Sequence, residues 1–256
     1  MQIEIRDVSK TFQQKGEQLQ VLDKISLEIE KGEFVCLLGP SGCGKSTLLN
    51  SIAGFERLDQ GYIKIDQELV TAPTSKYVTI FQNYGLLPWR SVLRNVELGL
   101  EATKLPKNER EAIAKKYIHL VGLSKFEKSH PHQLSGGMQQ RVAIARALAV
   151  NPDILFMDEP FGALDAITRI KMQKDILEIT KSHKKTTLFV THDIEEAVYL
   201  ADRIVIMTPN PGKIKEIIPV KLPTSRDRTS DDFIRVRDRV FEILNMKETT
   251  ILEYEL

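Results

Sequence analysis

Gly39-Pro-Ser-Gly-Cys-Gly-Lys45-Ser46 has the spacing GxxxxGK(S/T). Glycines so placed let a backbone curl until its N–H groups converge on an anion, and a helix that starts at the loop adds its dipole to the attraction. Lys45 offers a positive charge to the β- and γ-phosphates of a nucleotide, and Ser46 offers a hydroxyl to Mg2+. Gly39, Pro40, Ser41, Gly42, Cys43, Gly44, Lys45, Ser46 and Thr47 therefore form a candidate phosphate loop. An ordinary Gly-rich turn has the same composition. This one lies between an apolar run, Phe34 to Leu38, and helical spacing from Lys45 to Ala53, which is the context a phosphate loop needs. Cys43 inside it reads as a small filler rather than a nucleophile.

A second pattern supplies carboxylates. The apolar run from Ile154 to Met157 ends in Asp158-Glu159, which puts both acids at the carboxyl edge of a sheet, where α/β folds bind ligands. Asp158 suits Mg2+ through water, and Glu159 suits a general base on an attacking water. Alone, an acidic pair after a strand is a solvated turn; beside the phosphate loop it reads as catalytic. A third pattern is Leu134-Ser-Gly-Gly-Met-Gln-Gln-Arg141, in which Ser135, Gly136 and Gly137 open a helical stretch reaching Val150. The physics favours a plain helix N-cap here. A symmetric dimer offers the other use, with each chain's Ser-Gly-Gly helix capping the nucleotide in its partner's loop.

Elements that could position these groups follow from the pattern of apolar residues. From Met1 to Glu30, apolar and charged residues alternate around Gly16, as in half-exposed antiparallel strands. Phe34–Leu38, Tyr77–Phe81, Ile154–Asp158, Thr187–Thr191 and Ile204–Met207 are short apolar runs that suit buried strands, and helical stretches alternate with most of them. The class is α/β with a mainly parallel sheet and an antiparallel N-terminal part. Strands stop between Asn83 and Gln133, where Val92–Leu100 and Lys107–Val121 read as helices punctuated by Pro88, Pro106 and Pro131. After Arg203 come two short strands around Pro209-Asn-Pro-Gly212 and a charged amphipathic helix from about Ser230 to Asn245.

Composition narrows the class. With 256 residues, 42% hydrophobic and 28% charged, the chain can bury a large core, and long disorder is excluded. Thirty-six basic against 35 acidic residues leave +1, so phosphate binding must be local and no nucleic-acid role is assigned. Cys36 and Cys43 make no disulfide framework, which points to a reducing compartment. No secretory leader and no apolar run near the roughly 20 residues of a membrane span are seen.

LSGGMQQR before a helix, joined to the phosphate loop, resembles the ATPase subunits of ABC transporters along nearly the whole chain. The resemblance implies a P-loop NTPase core with an N-terminal antiparallel β subdomain and an inserted helical subdomain. On that pattern one domain, 1–256, divides into a nucleotide core at 1–82 and 134–220, a helical subdomain at 83–133 running into the signature helix 134–150, and a C-terminal extension at 221–256. It implies ATP and Mg2+ as ligands, Phe12 stacked on adenine, and Gln82 on Mg2+ or the lytic water. Asp165 would stand in a loop crossing the dimer and His192 would contact the γ-phosphate. Read singly, Phe12 is a strand-end core residue, Gln82 a surface residue and His192 a surface or satisfied core histidine. His130 and His132 lack a metal-ligand constellation. Where the family commonly has Ser, this chain has Gly162.

The family works as a dimer in its ATP-bound state, so a homodimer or paired ATPase is expected, with separate transmembrane permease subunits and, indirectly, an extracytoplasmic solute-binding protein. The chain would then sit at the cytoplasmic face of the membrane. Leu86, Leu87 and Trp89 follow Gln82 and suit either a groove for a permease helix or the core of the helical lobe. The blocks LLPWRSVLRNV, THDIEEAVYLADRIVIMTPNPGKI and LPTSRDRTSDDFIRVRDRVFEIL resemble the nitrate/sulfonate/taurine importer ATPases. That group also spans bicarbonate and thiamine-precursor pyrimidines, so the solute stays open. The rival class is a soluble ABC ATPase acting on ribosomes or DNA, which typically has two cassettes or long coiled coils.

Overall fold

Ile3, Ile5 and Val8 are buried and the residues between them are charged, so β1 (Ile3–Gln14) covers one face and wets the other. It runs antiparallel to β2 (Glu17–Ile29), with Gly16 at φ +87 in the turn. Next, β3 (Phe34–Leu38) is buried at all five positions, and α1 (Lys45–Ile52) follows it. Then β4 (Gln60–Ile65) and β5 (Glu68–Leu69) complete an antiparallel sheet of order β2-β1-β4-β5. The computed structural model describes residues 1–14, 16–223 and 226–252, with side chains of the last helix up to residue 244. Residues 224, 225 and 253–256 of the C-terminal stretch lie outside the described residues.

The chain forms two compact units, Met1–Thr74 with Thr186–Leu256, and Ser75–Lys185. The second holds β6 (Tyr77–Ile80), α2 (Val92–Glu97), a 3-10 turn at Leu98–Ala102, α3 (Lys107–Leu120), α4 (Gly136–Ala149), β7 (Ile154–Asp158) and α5 (Ala166–Ser182). Among the described residues from 83 to 133 there is no strand. Within this unit β6 pairs in parallel with β7, placing Ile80 beside Met157. The chain then returns to the first unit with β8 (Thr186–Thr191), α6 (Ile194–Leu200), β9 (Arg203–Thr208), β10 (Lys213–Pro219) and α7 (Asp231–Leu252). There β3 pairs in parallel with both β8 and β9, and β10 runs antiparallel to β9.

Helices explain why β3 is apolar throughout: α6 packs on β3 and α1 on its neighbour β8, leaving no wet face. Full burial of Phe34, Leu37 and Leu38 contributes about 1.5–3 kcal/mol each. β4 and β5 have no counterpart among the elements expected from the sequence. Their connection, Asp66-Gln67, has φ +49 and +68, the geometry of a two-residue hairpin turn without the glycine that usually signals one.

Candidate active site

In the first unit, Leu38 at the end of β3 lies beside Thr191 at the end of β8. The parallel pairing therefore releases the phosphate loop and His192 from neighbouring strands at one sheet edge. Gly42 and Gly44 take φ +79 and +91, values only glycine adopts freely, and the second of them is the N-cap of α1. The Lys45 side chain turns back on its own loop, its Nζ donating to Gly39 O at 2.7 Å and Pro40 O at 2.9 Å. It is 5% exposed. The loop thus holds a buried amine against its own carbonyls at the start of α1, where the first helical N–H groups are free for an anion.

Cys43 is buried under the loop, and burial pushes its thiol pKa up against the opposing pull of Lys45. That suits the filler reading, because the nucleophile is the thiolate. His192 is exposed. Phe12 is half-buried on β1, opposite Leu19, with Lys10 Nζ 4.9 Å from its ring centre.

In the second unit the pairing of β6 with β7 does the same for another set of groups. Gln82 and Asp158-Glu159 leave the same edge, and Gln82 Nε2 donates to Glu159 Oε2 at 3.4 Å. Asp158 is buried. Glu159 has φ +46, a left-handed conformation that costs a non-glycine residue about 1–3 kcal/mol and clusters at functional sites.

Ser135 caps α4 by accepting from the Met138 N–H at 3.3 Å. A Cβ on Gly137 would lie 2.9 Å from Ala163 O, and one on Gly136 3.1 Å from Tyr84 Oη. Bare glycines therefore let two loops, the one after Gln82 and the one before Asp165, close on the start of α4. Asp165 caps α5, accepting from the Thr168 N–H at 2.9 Å, and its hydrogen bonds with Thr168 lower its carboxyl pKa. The His130 and His132 rings stack at 5.9 Å.

Two residues absent from the sequence reading shape this unit. Arg146 on α4 donates to Gly85 O at 2.7 Å and Tyr84 O at 2.8 Å, fastening the loop after Gln82 to the helix. Asn95 on α2 is fully buried. Its Nδ2 donates to Leu87 O, Arg90 O and Ser91 O, and its Oδ1 accepts from Leu87 N–H. The clamped turn turns Trp89 outward, 72% exposed, so Trp89 is a surface residue and not part of a lobe core. Asn95→Ala strands these four backbone partners and is expected to cost about 2–4 kcal/mol of stability, read by denaturant unfolding. Trp89, the sole tryptophan, should lose fluorescence anisotropy in that variant; unchanged anisotropy would sink the clamp.

The sequence profile of the family described as ABC transporter matches residues 22–162. The chain belongs to this family. It is an ATP-binding cassette ATPase, and the matched stretch holds the phosphate loop, Gln82, Ser135 to Gly137, Asp158 and Glu159. The cassette is 47% identical over 242 residues to the aliphatic sulfonates import ATP-binding protein SsuB of Bacillus cereus, covering 94% of this chain and 95% of that one. It is 44% identical over 247 residues to the bicarbonate transport ATP-binding protein CmpD of Synechocystis sp., covering 94% and 88%. Among solved structures it is similar to a dimeric post-hydrolysis state of an ATP-binding cassette bound to ADP and Pi, with a TM-score of 0.80, 33% identity, and coverage of 86% of this chain and all of that one. The ABC ATPase fold, with its antiparallel N-terminal sheet and mainly parallel core, is thus established for this cassette. No helix among its described residues is long and apolar enough to cross a membrane.

Proposed function

We propose that this cassette is the ATP-hydrolysing subunit of an importer, in which two copies close on two ATP molecules and drive solute uptake through separate permease subunits. The match along 94% of the chain to relatives named for sulfonate import and bicarbonate transport carries this reading. A small solute of the nitrate, sulfonate or taurine type, or a related one, is the class it favours. The cassette then works at the cytoplasmic face of a membrane, and an extracytoplasmic solute-binding protein acts through the permease. The outward Trp89, flanked by Leu86 and Leu87, is the surface offered to a permease helix. In this reading residues 1–82 and 134–220 form the nucleotide core, 83–133 the helical subdomain and 221–256 a C-terminal extension.

Phe12 takes the adenine face, and the N–H groups from Gly39 to Thr47 with Lys45 take the phosphates. The donors assigned to Mg2+ are the Ser46 hydroxyl, the Asp158 carboxylate and the Gln82 amide oxygen. These are hard oxygen donors with one carboxylate, the chemistry by which such residues would hold Mg2+. Bound with ATP, Mg2+ would supply positive charge to the phosphate oxygens. Glu159 accepts the proton of the attacking water, while Gln82 and His192 hold water and γ-phosphate in line. Ser135, Gly136 and Gly137 of the partner copy cap the nucleotide from the other side, with Asp165 in the loop that crosses between copies.

The test is to purify a tagged Glu159→Gln cassette from detergent-solubilised membranes with Mg-ATP and identify the chains that come with it by mass spectrometry. A multi-span permease is the expected companion. Ribosomal or DNA-repair proteins in its place would overturn the importer reading and leave the ATPase intact.

A further inference from the structure

Pro209-Asn-Pro-Gly212, the turn between β9 and β10, lies against the phosphate loop within the first unit. Gly212 N–H donates to Val21 O at 2.9 Å, Asp23 N–H donates to Gly212 O at 3.0 Å, and Lys213 pairs with Asp23 at 2.8 Å. These bonds stitch the turn to β2 as a short parallel bridge between Leu22 and Gly212. A Cβ placed on Gly212 would stand 2.3 Å from Cys43 O and 2.8 Å from Val21 O. A Cβ on Gly44 would stand 2.8 Å from Leu22 Cδ2 and 3.0 Å from Val21 O. Gly212 does not have a left-handed φ, so space alone demands the missing side chain. Both contacts are with backbone oxygens, which do not swing away as a side-chain tip does.

The Cys43 carbonyl belongs to the same planar unit as the Gly44 N–H, and in a trans peptide the two point in opposite directions. With its carbonyl seated against Gly212, that peptide must aim its N–H away from the turn. We propose that Gly212 is a positioning residue for nucleotide binding: its bare Cα sets the tilt of the Cys43–Gly44 peptide and hence the direction of the Gly44 N–H. The inference rests on the reading of residues 39–47 as the phosphate site. It gives the Pro-Asn-Pro-Gly turn, about 170 residues further along the chain, a part in ATP affinity.

Gly212→Ala is compared with wild type and Lys45→Ala by calorimetric titration with ATP, and by steady-state hydrolysis. Losing one well-aimed N–H to a charged oxygen should weaken ATP binding about tenfold or more, with kcat at saturating ATP within about threefold of wild type. A merely structural role would lower the unfolding temperature without moving this split. A folded Gly212→Ala cassette that binds ATP within about twofold of wild type overturns the proposal. Should Gly212→Ala not fold, hydrogen exchange on the wild-type cassette decides. A nonhydrolysable ATP analogue is expected to slow exchange at residues 21–23 and 209–213 as well as in the loop, because the coupling runs both ways. Slowing confined to the loop overturns the proposal. If Lys45→Ala binds ATP as wild type does, residues 39–47 are not the phosphate site, and the inference falls with that reading.

Discussion

Replacing Glu159 by Gln is expected to cut steady-state ATP hydrolysis by about 10²–10⁴-fold while leaving ATP affinity near that of wild type. The substitution keeps size, shape and the hydrogen bond with Gln82, whose Nε2 stands 3.4 Å from Glu159 Oε2. What it removes is a proton acceptor, because an amide cannot take the proton of the attacking water. The backbone marks the same residue. At φ +46, Glu159 bears a strained conformation, held as the chain leaves a buried strand, with the Gly162 N–H donating to its carbonyl at 3.3 Å. Binding without turnover also predicts a physical state: closure driven by ATP is no longer released, so the variant with Mg-ATP should elute as a dimer. Light scattering on the eluting peak reads this, with ADP in place of ATP as the control. Hydrolysis near the wild-type rate would remove Glu159 from the base role.

Where an element is set by its neighbours in sequence, the sequence displayed it. The runs Phe34–Leu38 and Ile154–Asp158 were legible to the residue, because strands covered on both faces must be apolar throughout and their ends are marked by Gly39 and by the acids. The tight turn from β3 into α1 was legible because its glycine spacing is itself the geometry, with Gly42 and Gly44 at φ +79 and +91. In contrast, β4 and β5 were hidden by a turn whose two positive φ values fall on Asp66 and Gln67 in place of glycine. The contacts of Asn95, Arg146 and Gly212 were hidden for a different reason, although the turn at Gly212 was visible: each acts on backbone groups. Arg146 reaches carbonyls about 60 residues away, and a carbonyl has no side-chain identity to give the contact away. Trp89 was readable as lobe core or as docking surface; the Asn95 clamp, a tertiary arrangement, removes it from the core and leaves it exposed.

Lys45→Met should weaken ATP binding by about a hundredfold or more, the larger part of which is electrostatic. The Lys45 amine is held 2.7 Å from Gly39 O and 2.9 Å from Pro40 O, so the loop itself fixes where the positive charge sits before any phosphate arrives. A charge positioned in advance costs no reorganisation on binding. Methionine keeps most of the apolar stem that packs beneath the loop, whereas alanine also opens space there. Lys45→Ala and Lys45→Met should therefore lose similar affinity, and the alanine variant should lose more stability. Both leave Gly39 O and Pro40 O without their donor, a shared cost of about 1–3 kcal/mol in denaturant titration. The nucleotide series separates charge from packing. If Lys45 serves the β- and γ-phosphates, Lys45→Met loses most affinity for ATP, less for ADP and almost none for AMP. Equal losses for all three would show that the substitution had only deformed the loop, and unchanged ATP binding would reduce Gly39–Ser46 to an ordinary Gly-rich turn.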